Sequence, residues 1–202
     1  MRITHWLALF TIVVSSFVAC ANPGSPTGRS VQQAQAGAGT GLTAPSSMPI
    51  STMSAGPTQR QISMMDACDG PTFNIAVGPG TCSRNGGVSF SQFVAQLTAH
   101  QSAGAWHNAP SQTNAWLGDS LIAVNKGGET HTFTRVAEFG GGIVPFLNQL
   151  AGTPNVAPEC TTETTFVPPD GTDSESLNQT GELKFQCCIH PWMHATVLVK
   201  SH

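Results

Sequence analysis

The run Gly181-Glu182-Leu183-Lys184-Phe185-Gln186-Cys187-Cys188 alternates apolar and polar side chains, a period of two that fits a half-buried strand. Leu183, Phe185 and Cys187 then share the core face, and Glu182, Lys184, Gln186 and Cys188 share the other. Cys187 therefore ends the strand pointing inward at the head of the core. Ile189-His190-Pro191-Trp192-Met193 follows at once, and the spacing Cys-x-x-His-x-x-Met lets one tight loop turn three side chains toward one ion.

Thiolate, imidazole and thioether together suit copper, and a Cys-His-His set with a weak axial Met is the blue-copper arrangement. Met is a poor zinc ligand, which argues against structural zinc. The set still needs one more His, from a distant strand.

The rest of the folded part reads as short strands between turn residues. Phe73 to Val77 is apolar and ends at Gly78-Pro79-Gly80. Ser120 to Asn125 lies between Gly118-Asp119 and Lys126-Gly127-Gly128. His131 to Val136 alternates, and Thr196 to Lys200 closes the chain. Strands this short predict an all-β sandwich or barrel. One stretch differs. Phe90, Phe93, Val94 and Leu97 recur at helical spacing, with Ser89 or Ser91 available as N-cap, and predict one short amphipathic helix over Ser91 to His100. A helical turn is expected at Ile143 to Leu150. Gly152 to Gly171, rich in Pro and Thr, reads as a long loop with at most one strand around Thr164-Thr165-Phe166-Val167.

Composition removes several function classes. Asp, Glu, Lys and Arg make up 9% of the 202 residues, against about 25% in ordinary soluble domains. Eight Lys and Arg spread along the chain do not supply the basic patch that phosphate neutralisation needs, so no nucleic-acid partner is expected. With 21 Gly and 14 Pro the chain is not a helical bundle or coiled coil. Asp66, Asp69 and Glu129 form no close acidic pair in sequence, and there is no Ser-His-Asp signature, P-loop or dinucleotide fingerprint. His100 and His107 read as surface or capping histidines rather than a second metal site.

Arg2 followed by the uncharged run Trp6 to Ala19 reads as a secretory signal, too short to span a bilayer comfortably. Its end fits two kinds of processing: cleavage after Ala21, or a lipobox, Phe17-Val18-Ala19-Cys20, that makes Cys20 a lipidated first residue. Either way the protein leaves the cytoplasm for the periplasm or cell surface, where disulfides are permitted. Residues 22–60, built from Pro, Gly, Ser, Thr, Ala and Gln, read as a flexible tether.

Phe185 to Lys200 resembles the ligand loop and last strand of the cupredoxins, closest to the short loop of amicyanin- and plastocyanin-type members. Gly118 to Asn125 followed by Gly128-Glu129-Thr130-His131-Thr132-Phe133 is similar to the family's strand-turn-His segment. The resemblance implies a Greek-key β-sandwich over residues 105–202 and one mononuclear type 1 copper held by His131, Cys187, His190 and Met193. Residues 61–104, with the helix, form an N-terminal extension outside it. Three features depart from the family. Thr132 stands where Asn commonly bonds to the Cys loop. His194, a rival axial ligand, follows Met193, and Ala195 comes next where Gly is often found. The interval from His131 to Cys187 is long, and the excess, placed in the Phe139 to Gly171 region, is expected to cover part of the site or form a docking surface.

With Cys187 on the metal and Cys20 in the signal or carrying lipid, four cysteines remain, which allow three pairings. Cys68 with Cys82 and Cys160 with Cys188 are preferred: the first pins the extension, the second ties the inserted loop to the back of the ligand strand. The function expected is an exported carrier of single electrons and not an enzyme. His190 would expose its ring edge, and Pro191, Trp192 and Gly140-Gly141-Gly142 would form an apolar patch for a redox protein partner. The alternatives are copper delivery or resistance, and an interaction module without metal.

Overall fold

The computed structural model describes residues 56–202. The signal segment, Cys20 and most of the tether lie outside the described residues. In chain order the elements are β1 Gln59–Met65, α1 Gly70–Ala76, α2 Phe90–His100, β2 His107–Ala109, β3 Gln112–Trp116, β4 Ser120–Asn125, β5 His131–Thr132, β6 Thr134–Val136, α3 Pro145–Leu150, α4 Glu159–Thr162, β7 Phe166–Val167, β8 Thr172–Ser176, β9 Gly181–Gln186 and β10 His194–Lys200. No helix among the described residues is long and apolar enough to cross a membrane.

Two four-stranded sheets, in the orders β2-β1-β4-β8 and β3-β10-β9-β6, form a β-sandwich; β5 and β7 make a separate pair. The chain crosses from one sheet to the other after β2, after β3, between β4 and β6, between β6 and β8, and after β8, connections of the Greek-key kind. Ile62 and Met64 of β1 and Leu121 and Ala123 of β4 meet Leu183 and Phe185 of β9 and Ala195, Val197 and Val199 of β10 in one apolar cluster. Each set alternates along its strand, so one face of each sheet is apolar and closes on the other.

The helix α2 forms where the spacing places it. Ser89 Oγ accepts from the Gln92 N–H at 3.3 Å, and Gln92 Oε1 accepts from the Ser89 N–H at 2.9 Å, a capping box. Phe93 and Leu97 are buried against the sandwich core.

Phe73 to Val77 is not a strand: Phe73 to Ala76 belong to α1, and Val77 is its C-cap. The Asp69 side chain accepts the Thr72 N–H, and Pro71 starts the first turn, so the capping signature decides the local structure. Phe73 turns its ring into the core, while Ile75 is 88% exposed and Val77, at the C-cap, 59% exposed. The segment His131 to Val136 is broken at Phe133 into β5, which pairs with β7, and β6, which pairs with β9. The long loop holds a helix, α4, that its Pro and Thr content conceals.

β1 begins at Gln59, inside the stretch read as tether, and lies between β2 and β4. The boundary at residue 105 therefore passes through a sheet, and residues 59–65 are a strand of the sandwich itself. Asp119 anchors this strand by accepting from the Thr58 N–H at 2.8 Å and the Thr58 hydroxyl at 2.9 Å, with the Arg60 guanidinium at 3.3 Å. The N–H groups of Trp116 and Thr58 hold its carboxyl well below the usual range.

Both disulfides are those preferred from the sequence, Cys68–Cys82 and Cys160–Cys188. Cys187 points into the main core, and Cys188 points into a second, smaller cluster with Val136, Ala157 and Cys160. Cys160 and Cys188 are 28 residues apart. Loop-closure entropy for that span is about 3–4 kcal/mol. The double variant Cys160→Ala/Cys188→Ala is expected to lose about that much in urea unfolding; an unchanged midpoint would show that the inserted loop is held by packing alone.

Candidate metal centre

Cys187, at the end of β9, places its sulfur at the head of the core beneath two histidines. His131 Nδ1 lies 3.8 Å from Cys187 Sγ, and His190 Nδ1 lies 3.7 Å from it. The three side chains form a His-Cys-His group with 0%, 0% and 2% exposure for His131, Cys187 and His190. Metal–sulfur and metal–nitrogen bonds of about 2.3 and 2.0–2.1 Å at a trigonal angle put sulfur and nitrogen about 3.8 Å apart. The observed separations fit a trigonal set of two nitrogens and one sulfur.

The loop is built before any ion enters. The Cys187 N–H donates to the Met193 carbonyl at 3.0 Å, the Met193 N–H to the His190 carbonyl at 2.9 Å, and Asn108 Nδ2 also donates to the Met193 carbonyl at 3.2 Å. The sulfur receives the N–H groups of Thr132 at 3.4 Å and His190 at 3.5 Å. Thr132 also accepts the Cys188 N–H on its hydroxyl at 2.6 Å, so the residue in the Asn position does bind the Cys loop. Met193 is fully buried in the same cluster as Cys187. His194 is not part of the group; its ring stacks on Phe139 at 3.9 Å, and burial pushes its imidazole pKa down. His100 and His107 are exposed, and His107 Nδ1 bonds the Gly104 carbonyl at 3.1 Å.

Two carboxylates that the sequence leaves apart meet at this site. Asp66 Oδ2 lies 2.9 Å from His131 Nε2, and Asp66 also accepts the N–H groups of Cys68, Gly128 and Glu129. Burial opposes the Asp66 charge, but these donors outweigh it and hold the carboxyl at about 2. Burial likewise opposes a charged His131, but Asp66 and Cys187 push it up to about 9. Burial of Cys187 is in turn overcome by His131 and His190, which hold its thiol well below its ordinary value, as a metal ligand requires. Glu129 Oε2 lies 3.6 Å from His190 Nε2 and accepts the Trp106 Nε1–H at 2.6 Å; burial raises its pKa. Asp66 had one legible signal: it continues the inward parity of Ile62 and Met64 past the end of β1. Glu129 and Trp106 had none.

The sequence predicts an exposed ring edge at His190, and the structure instead buries the residue. Phe93 of α2 meets the ring edge-on at 6.4 Å between centroids, Trp192 packs at 5.5 Å, and Glu129 blocks the outer nitrogen. The inserted region lies on the site. Its strand β7 pairs Val167 with His131, and the Ile143 N–H donates to the Cys188 carbonyl at 2.7 Å. Gly142 permits this approach, because a Cβ there would collide with the Cys188 carbonyl. A groove of about 210 Å³ opens beside His190 and Glu129, lined by Val77, Phe90, Phe93, Val144 and Phe146. A larger cleft of about 780 Å³, walled by β6, β8 and α4, contains none of the site residues.

Two facing sheets with a His-Cys-His group at one end of their shared core make a cupredoxin-like β-sandwich. Solved structures that the chain is similar to include a purple cupredoxin and variants of amicyanin. A purple cupredoxin from Nitrosopumilus maritimus is 13% identical, with a TM-score of 0.41, over 70% of this chain and 99% of that one. A variant of amicyanin in its Cu(I) form is 15% identical, with a TM-score of 0.34, over 46% of this chain and 73% of that one. A second amicyanin variant, reduced at pH 4, is 17% identical, with a TM-score of 0.32, over 45% and 70%. No protein-family model matches the chain, and no curated protein matches it.

Proposed function

We propose that this chain is an exported electron carrier with one mononuclear type 1 copper, ligated by His131, Cys187, His190 and Met193. The observation that carries the reading is the pair of Nδ1–Sγ separations, 3.8 and 3.7 Å, within a buried group whose donors suit copper. When bound, copper would supply a reversible one-electron couple. The chain's part is to hold the ligands still. Hydrogen bonds to Asp66 and Thr132 and the closed loop fix the cage, so little rearrangement accompanies each electron.

Export is supported by the two disulfides, which belong to an oxidising compartment, and by the N-terminal segment with its lipobox-like Cys20. A redox protein partner docks transiently on the apolar groove beside His190, where Phe146 and Val77 stand 51% and 59% exposed at the rim. The scarcity of charge makes electron exchange depend only weakly on salt, which stopped-flow kinetics across ionic strengths would check.

Adding Cu(II) to the purified full chain tests the central claim. The expected result is an intense visible band, narrow copper hyperfine splitting in electron paramagnetic resonance, and reversible bleaching by one electron per protein. Colourless tight binding of Cu(I) alone would favour copper delivery, and no binding would leave an interaction module.

A further inference from the structure

Both candidate ligand histidines carry a buried carboxylate on the outer ring nitrogen, but the two carboxylates are built differently. Asp66 is held by backbone N–H groups. Glu129 is held by a side chain, Trp106, whose indole N–H reaches Oε2 at 2.6 Å. Trp106 is itself fixed: it stacks on Phe73 at 5.7 Å between centroids and packs against Phe93 at 4.6 Å. The Glu129 backbone is pinned at both ends, by Asp66 on its N–H and by Asn125 Nδ2 on its carbonyl. The Glu129 side chain is 9% exposed and His190 side chain 2%. A buried acid in this position costs desolvation, so its contacts must return something.

We propose that Glu129, clamped by Trp106, is a positioning residue for His190: its carboxylate takes the outer Nε2–H, holds Nδ1 toward the metal, and biases bound copper toward Cu(II). The proposal rests on the copper reading above. With Nδ1 directed at Cys187, Nε2 is the protonated nitrogen and faces Oε2 at ion-pair distance, 3.6 Å, the same oxygen that accepts the Trp106 indole N–H. A negative charge beside the ligand stabilises the more positive oxidation state. At an effective dielectric near 20 and a separation of about 6–7 Å, removing it shifts the Cu(II)/Cu(I) equilibrium toward Cu(I) by roughly 50–100-fold.

The test uses the full chain with Glu129→Gln, Trp106→Phe and, as a remote charge control, Glu182→Gln. Glu129→Gln keeps an acceptor and removes the charge; the midpoint potential is expected to rise by the equivalent of that shift, with altered copper hyperfine splitting. Glu182→Gln is expected to leave both unchanged. Trp106→Phe keeps the ring packing and releases the clamp, so it is expected to move the hyperfine splitting and potential in the same direction by less. A Glu129→Gln potential equal to the parent's, or lower, overturns the proposal. If Glu129→Gln fails to fold, a Trp106→Phe protein with parental potential and hyperfine splitting overturns it instead. Nitrogen-15 NMR of the metal-free chain gives a readout independent of copper: an Nε2–H tautomer at His190 and a downfield Trp106 indole proton that moves in Glu129→Gln. An Nδ1–H tautomer overturns the positioning role, whereas failure to take up copper with the expected tautomer present sinks the copper reading alone.

Discussion

Replacing Cys187 with Ser is expected to erase the visible charge-transfer band and the narrow hyperfine pattern of the copper-loaded protein. Two imidazole nitrogens and two backbone N–H groups face that one sulfur. They hold it as a thiolate, and a serine hydroxyl does not ionise under the same influences. The hydroxyl is nearly the same size and can accept the same N–H groups. Stability should therefore fall by less than about 2 kcal/mol. Thermal unfolding separates loss of the ligand from loss of the fold. A Cys187→Ser protein that stays blue would place the chromophore elsewhere and end the reading.

Asp66→Ala is expected to destabilise the metal-free protein by about 3–5 kcal/mol in urea unfolding. Its carboxylate accepts from His131 and from three backbone N–H groups, and its side chain is 1% exposed. Removing it strands all four donors. The pH dependence has a definite sign. The folded carboxyl titrates at about 2 against an ordinary 3.8, so its contribution is present above the ordinary value and lost as pH falls through the folded one. That shift corresponds to about 2 kcal/mol, lost between about pH 5 and pH 2. His131 works in the opposite direction. Raised from 6.5 to about 9, it contributes below its ordinary value and loses the contribution as pH rises through 9. Unfolding free energy measured against pH should fall on the acid side in the parent and lose that limb in Asp66→Asn. A parent curve flat from pH 5 to 2 would contradict the Asp66 account.

Alternation proved a reliable guide wherever a strand had one wet face. It placed Leu183, Phe185 and Cys187 inward, and with them the thiolate. The same rule applied to Ile62 and Met64 extends inward to Asp66, but a lone acid at a strand end has no partner visible in the sequence, since His131 lies 65 residues away. Phe73-Asn74-Ile75-Ala76-Val77 fits a strand equally well by apolarity; the Asp69-Gly70-Pro71 start, acting through backbone hydrogen bonding, makes it a helix.

Local chemistry written into adjacent residues was thus readable directly: the Cys-x-x-His-x-x-Met loop, the capping box of α2, the strand parity of β9. These depend on backbone periods and side-chain identity within a few residues. What only the tertiary structure decided is the surroundings of the ligands. Whether His190 meets solvent depends on α2 bringing Phe93 over the ring and on the turn after β4 carrying Glu129 to its outer nitrogen, where Trp106 arrives from the start of β2. Those groups come from segments far apart in the chain. Burial and charge at a point are sums over everything packed around it, so no local pattern contains them.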